Sequence, residues 1–271
     1  MILFHAGMAA PATPFALFRN LFTDPGVSFS ASSTAAGFDP SSVAAENTYQ
    51  EWKAGSTAAS LTVDMGSAKS LDTVALAANN FGTVGARVQA QYSLDAVSWT
   101  TLATSATLVR NWPLAVLTAA PVSARYIRFN FDQTPLPSAP VTVGVAAAGL
   151  RLDFPGWLAP DFTRPADAAV IEAQPSTSLE GQYLGTIIRR KAGRLSPRLS
   201  PLPRAWVDAN LAAFRAYYDE ARPFFFAPGP SAFPDDLVYG WRGAGTSELR
   251  PVIQSGGRAV SIGMELDFHA A

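Results

Sequence analysis

From residue 26 to 154, short apolar runs alternate with turn-forming residues, and no long helical period interrupts them. In Ala86-Arg87-Val88-Gln89-Ala90-Gln91-Tyr92 the small and apolar side chains take one face and the polar ones the other, the period of a half-buried strand. Leu61, Val63 and Met65 alternate likewise, as do Val74 and Leu76, then Ile127, Phe129 and Phe131. Val141, Val143 and Val145 open a further run that reaches Phe154. Asp64-Met65-Gly66, Asn79-Asn80-Phe81-Gly82 and Pro135-Leu136-Pro137 separate them as turns or loops. Many short strands with regular turn signals predict a β-sandwich or barrel.

Pro155-Gly156 and Pro160 mark a boundary. Beyond it, Tyr183 to Ile188 and Pro223 to Ala227 read as strands. Val260, Ile262, Met264, Leu266 and Phe268 alternate with polar or small residues as one long final strand. In Ala205–Glu220, Trp206, Val207, Asn210, Leu211, Phe214, Tyr217 and Tyr218 recur at helical spacing between Pro203 and Pro223, which predicts one amphipathic helix near 205–220 packed on a sheet. The organisation expected is an N-terminal strand and linker at 1–25, a jelly roll at 26–154 and a second β-rich domain at 155–271.

A length of 271 residues suits two domains, and 48% apolar against 15% charged residues describes a globular chain. Low charge with 17 Phe hints that partners cover some apolar surface. A net charge of −1 gives no electrostatic case for nucleic acid or anionic membrane as the main partner. There is no cysteine, so disulfides, thiol nucleophiles and thiolate metal sites are excluded, and assembly in a reducing cytoplasm is favoured. The start Met1–Ala10 lacks a basic region and is followed by Pro11 and Pro14, so it reads as mature sequence. No apolar run reaches the length of a membrane span.

Several motifs occur in order between Ser30 and Phe131: Ser30-Ala31-Ser32-Ser33, Gly37-Phe38-Asp39-Pro40, Tyr49-Gln50-Glu51-Trp52-Lys53 and Leu61-Thr62-Val63-Asp64-Met65-Gly66. Ser93-Leu94-Asp95-Ala96-Val97-Ser98-Trp99 and Ala124-Arg125-Tyr126-Ile127-Arg128-Phe129 complete the series. Together they resemble the discoidin, or coagulation-factor type C, galactose-binding-like family. Ala96 stands where that family usually has Gly, and the cysteines that staple many extracellular members are absent. The resemblance implies a jelly-roll sandwich whose loops at one end often bind glycans or lipids, sometimes beside a structural calcium. The stretch from Asp64 to Asn80 is also similar to jelly rolls of bacteriophage tail proteins, and Phe224–Ala227 with Tyr239-Gly240-Trp241 to ring-forming tail-tip domains. That implies a structural tail-tip or baseplate component, assembled in the bacterial host cytoplasm and carried on the virion tail. Its partners would be other tail proteins, copies of itself and a host-surface glycan, with no specific nucleic acid and no membrane insertion. The alternative is a stand-alone carbohydrate-binding module.

The residues that could carry chemistry are few. His5 and His269 lie near opposite ends, and no nucleophile elbow, HExxH helix, phosphate loop or dinucleotide fingerprint is present, so no enzyme and no catalytic residue is expected. Asp235-Asp236 read as solvated loop charges. Asp39, Glu46, Asp64 and Asp95 are candidate calcium ligands, but no dense Asp/Asn/Gly run accompanies them, so turn capping is the favoured role and no metal or other cofactor is expected. An aromatic platform with amides and charges is what a sugar needs, and Tyr49, Trp52, Asn79, Asn80, Arg87, Asn111 and Trp112 supply those types at loops and strand ends. Arg189, Arg190, Lys191, Arg194, Arg198 and Arg204 form a stretch without acids, stiffened by prolines; it is expected to be an exposed arm or loop at a subunit interface.

Overall fold

The computed structural model describes residues 1–269, and within them the side chains of all but 169–172, 189–191 and 255. Residues 28–149, joined by strand Ile2–Phe4, form a jelly roll of two sheets. Two long bent strands, Ser60–Asn79 and Leu114–Asn130, run through both sheets, with register shifts between Asp64 and Lys69 and between Leu71 and Thr73 where they turn the corner. Their first and last parts respectively pair with each other and with Ser28–Ala31 and Gln89–Ser93, which carries Thr100–Thr104 at the edge, to make a front sheet. Their other parts pair with Thr142–Gly149 and Ile2–Phe4, with Trp52–Lys53 at the edge, to make a back sheet. Between the sheets lie Leu61, Val63, Val74, Leu76, Val88, Ala90, Ile127, Phe129 and Phe131, all buried. The alternation of the sequence therefore sets the register: Gln89 and Gln91 stay half-buried on the outer front face. The strand itself begins only at Gln89, because Phe81–Val84 closes as a short helical turn and Ala86 packs beneath it.

The second unit lies across the back sheet. Its seven-stranded sheet contains Phe15–Leu17 and Leu152–Asp153 from either flank of the jelly roll, then Phe224–Ala227, Val238–Arg242, Leu266–His269, Tyr183–Leu195 and Ala169–Thr177. The N-terminal segment thus contributes one strand to each unit. Phe225, Ala227 and Tyr239 face the jelly roll and meet Ala75, Ala77, Ala115, Leu117, Val145 and Ala147. Phe224, Phe226 and Val238 face the other way, against helix Arg204–Asp219 and a smaller sheet of Trp157–Leu158, Arg198–Pro203, Ala259–Gly263 and Val252–Gln254. Burial on both faces explains why 224–227 reads as an uninterrupted apolar run. The helix buries Val207, Leu211, Phe214, Tyr217 and Tyr218, one stripe of the expected period.

Three expectations change. The final alternating run is two strands in two sheets: Ala259–Gly263 joins the small sheet and Leu266–His269 the large one. The Tyr218 hydroxyl fixes the corner by accepting from Glu265 N at 3.0 Å and donating to Glu265 O at 3.1 Å, while every second apolar side chain stays buried. Val145 faces the second unit and not the jelly-roll interior reached by Val141 and Val143; left-handed Ala78 (φ 52°) opposite Gly144 interrupts the pleat there. The basic stretch is no arm or loop. It ends strand Tyr183–Leu195 and supplies strand Arg198–Pro203, because its backbone pairs with the last two strands. Arg194 bonds Asp267 at 2.9 Å, Arg204 pairs with Asp208 one helical turn on, and Arg198 is exposed; the side chains of Arg189, Arg190 and Lys191 lie outside the described residues.

Candidate functional site

At one end of the jelly roll the back-sheet strands begin or finish, and the loops 79–87, 105–113 and 132–141 meet there. Asparagine side chains tie these loops together. Asn79 accepts from Phe81 N at 3.1 Å and donates to Trp112 O at 3.2 Å. Asn80 accepts from Thr142 N at 2.8 Å and donates to Pro140 O at 3.1 Å. Asn111 accepts from Thr83 N at 3.0 Å and donates to Thr83 Oγ1 at 2.9 Å. Arg87 donates to Ser105 O and Thr134 O. Gly82 permits the closest approach, since a Cβ there would lie 2.2 Å from the Arg110 nitrogen. The amides of Asn79, Asn80 and Asn111 and the guanidinium of Arg87 therefore shape the site and hold its backbone.

Two other sugar candidates separate from this cluster. Trp52 is fully buried, stacked near Phe131 with ring centroids 5.9 Å apart, and its indole donates to Thr34 Oγ1 at 3.2 Å. It is a core residue, since strand Trp52–Lys53 turns its aromatic side chain between the sheets. Tyr49 is 80% exposed on its own loop and does not reach the others' cleft.

That cleft, about 540 Å³, opens beside Trp112. The jelly roll lines it with Leu108, Val109, Arg110, Trp112 and Leu114, and the second unit with Arg164, Ala166 and Asp235. A smaller cavity of about 90 Å³ shares Trp112, Ala166 and Asp235 with it and continues to Asp236 and His269. The Arg110 guanidinium lies 4.3 Å from the Trp112 ring centroid. Arg164 grips the buried Asp236 carboxylate through Nε at 2.7 Å and Nη2 at 3.1 Å and stacks on Phe233. The adjacent acids thus part: Asp235 is exposed, whereas Asp236 is buried and ion-paired, which corrects its reading as a solvated charge. Burial lowers the His269 pKa below the ordinary imidazole value. His5 lies elsewhere, donating from Nδ1 to Leu102 O.

Arg110 adjoins Asn111-Trp112 and was within reach of sequence reasoning; Arg164 carried no signal, and Asp235, an exposed loop charge as expected, comes to the cleft from another unit. The carboxylates weighed for calcium have other occupations. Asp39 accepts from the Ser41 hydroxyl and N–H, which lowers its pKa. Asp95 accepts from Ser98 N and Val97 N in the hairpin turn, again lowering its pKa. Asp64 pairs with Arg125 at 2.8 and 2.9 Å and accepts from Gly66 N. Glu46, left-handed at φ 57°, holds Arg222 at 3.2 Å and receives the Tyr239 hydroxyl on its carbonyl, latching the two units. Among the described residues no three His, Asp or Glu side chains cluster to hold a metal.

Residues 28–140 match the F5/8 type C domain, so the discoidin-like fold of this part agrees with its motifs. A comparison with curated proteins found no match. Among solved structures the chain is similar to CpGH89CBM32-6 of Clostridium perfringens, with 17% identity, a TM-score of 0.41, and coverage of 48% of this chain and 98% of that one. It is also similar to the family 32 carbohydrate-binding module of C. perfringens NanJ in complex with galactose: 16% identity, TM-score 0.41, 51% of this chain and 99% of that one. Chitosan-binding module 1 of the Paenibacillus sp. IK-5 chitosanase/glucanase gives 20% identity, TM-score 0.41, 48% of this chain and 98% of that one.

Proposed function

We propose that this protein is a non-catalytic attachment subunit whose jelly roll binds carbohydrate at its loop end. The observation behind this reading is the cleft itself. It has the volume of a small-molecule site and combines apolar walls, an aromatic ring and charges of both signs, on a rim whose loops are braced by side chains. It lies at the loop end of a stretch resembling a family whose loops bind glycans or lipids. Fold alone does not settle function, so the cleft is the part to test. The back sheet of the jelly roll packs on the second unit, so the two are tested together in the full chain. Glycan-array binding of the full chain is the experiment. Binding to a defined set of glycans, weakened in Trp112→Ala at unchanged melting temperature, is expected. No binding, or binding indifferent to Trp112→Ala, would sink the reading. Turnover of a polysaccharide that one carboxylate-to-amide change abolishes would show an enzyme instead.

A second reading, a bacteriophage tail-tip or baseplate subunit, requires assembly from copies of this chain, and it is that requirement alone which the hairpin Ala169–Thr177/Tyr183–Leu195 supports. Among the described residues, Ala192–Leu195 is the part of its second strand that pairs with a third strand, and Leu179, Tyr183, Leu184, Ile187 and Ile188 are all exposed. Adjacent Ile187 and Ile188 point to opposite faces, so this ribbon is apolar on both sides. A lone two-stranded ribbon is marginal in water, and neighbouring copies would cover it. Light scattering should report a closed oligomer that Ile187→Asp with Ile188→Asp reduces to monomers. A wild-type monomer at every concentration would remove this reading.

A further inference from the structure

The cleft beside Trp112 is composite. Its jelly-roll wall carries Arg110 stacked on Trp112, and its opposite wall, from the second unit, carries Asp235 and Arg164. Charge decides what it can hold. Arg164 is already neutralised by the two-bond pair with Asp236. Among the charged side chains that line the cleft, Arg110 and Asp235 make no hydrogen bond to another described residue, so they are the side-chain charges left to engage a ligand, and they are of opposite sign. An anionic ligand would meet Asp235 and a cationic one Arg110. A ligand with paired hydroxyls satisfies both, because a hydroxyl donates to a carboxylate and accepts from a guanidinium. The apolar Val109 and Leu114 suit the C–H face of a ring.

We infer that this cleft seats a neutral saccharide unit held from both sides, with Arg110 and Trp112 of the jelly roll on one flank and Asp235 of the second unit on the other. The inference rests on the carbohydrate reading above and adds to it the ligand's charge and the second unit's contribution. The second unit is then part of the binding site and more than a mount. Asp235 follows Pro234 in the loop before strand Val238–Arg242, and its neighbour Asp236 is locked inward by Arg164. The buried pair thus holds the loop while the adjacent carboxylate faces the opening.

The test uses the full chain and a panel of free sugars: galactose, glucose, mannose and N-acetylglucosamine as neutral probes, glucuronic and sialic acids as anionic ones, and glucosamine as the cationic one. Affinities come from titration calorimetry or ligand-observed NMR. A neutral sugar should bind best. Asp235→Asn and Arg110→Gln should each weaken it about tenfold or more, the value of a charge-assisted hydrogen bond. Both residues are exposed, so melting temperatures should match wild type and report that folding is intact. If no sugar on the panel or on the glycan array binds wild type, the carbohydrate reading itself fails. If a sugar binds wild type and both variants equally, or an acidic sugar or glucosamine is preferred, the carbohydrate reading stands and the composite neutral site is overturned.

Discussion

The two sheets of the jelly roll share the same two long strands, yet their outer faces are opposites. On the front, Thr62, Asp64, Tyr126, Arg128 and Asn130 join Gln89 and Gln91 in a polar lattice. Gln91 accepts from Arg128 at 2.7 Å and from Asn130 at 2.9 Å, and Arg128 lies 3.9 Å from the Trp99 ring centroid. On the back, the corresponding positions are Ala75, Ala77, Ala115 and Leu117, all buried against the second unit. A solvated face needs hydrogen-bonding side chains, while a sheet packed on another sheet needs small apolar ones so that Phe225 and Tyr239 can fit between. One sandwich therefore has a wet side and a docked side, and the change occurs within single strands.

The largest effect should come from placing a charge on the docked side. Ala147→Lys buries an ammonium without a partner and should cost about 5 kcal/mol, enough to remove most of the native state. Ser28→Lys on the wet side is exposed opposite Asp64 and should change stability by about 0.5 kcal/mol or less. Urea unfolding measures both. Equal losses would mean that the interlayer packing is absent in solution. Trp52→Ala, in the core common to both sheets, should cost about 3–4 kcal/mol. A stable Trp52→Ala protein with impaired sugar binding would return this residue to the site.

Much of the jelly roll was legible because one face of each front strand is wet: Val88, Ala90, Phe129 and Phe131 announce their face by alternation. The docked side was less so. Runs such as 145–148 or 224–227 are apolar on both faces, and periodicity cannot assign them. Tyr218, which breaks the final alternating run into two strands, sits far away in sequence on the helix. The site divides in the same way. Asn79, Asn80, Asn111, Arg87 and Trp112 do gather at one end, but all except Trp112 serve as braces. Asp235 and Arg164 reach the cleft only through docking, which no local pattern encodes.

A smaller gain should come from the hairpin after Gln89–Ser93. Ala96 adopts φ 60°, the left-handed region that an alanine occupies at a cost and a glycine does not. Ala96→Gly should stabilise the protein by about 0.5–1 kcal/mol after the added entropy of the unfolded chain. Destabilisation would show that this turn relaxes in solution.

The smallest effect should be seen in the acid limb of stability, and it belongs to the wet side. Asp64 is held below the ordinary carboxylate range first by the Arg125 guanidinium and further by Gly66 N–H. A carboxylate whose folded pKa is depressed contributes stability that is present above the unfolded value of about 3.9 and is lost as pH falls through the folded value. Asp64→Asn keeps an acceptor for Gly66 but loses the charge. The gap between wild type and variant in urea midpoint should therefore be open at neutral pH and close in strong acid. Because Asp64 and Arg125 are partly exposed, at 26% and 40%, added salt should narrow the neutral-pH gap as well. A gap that survives strong acid would assign the effect to the turn and not to the ion pair. A gap insensitive to salt would mean that this corner of the front sheet is covered, and the contrast between the two faces would have to be redrawn.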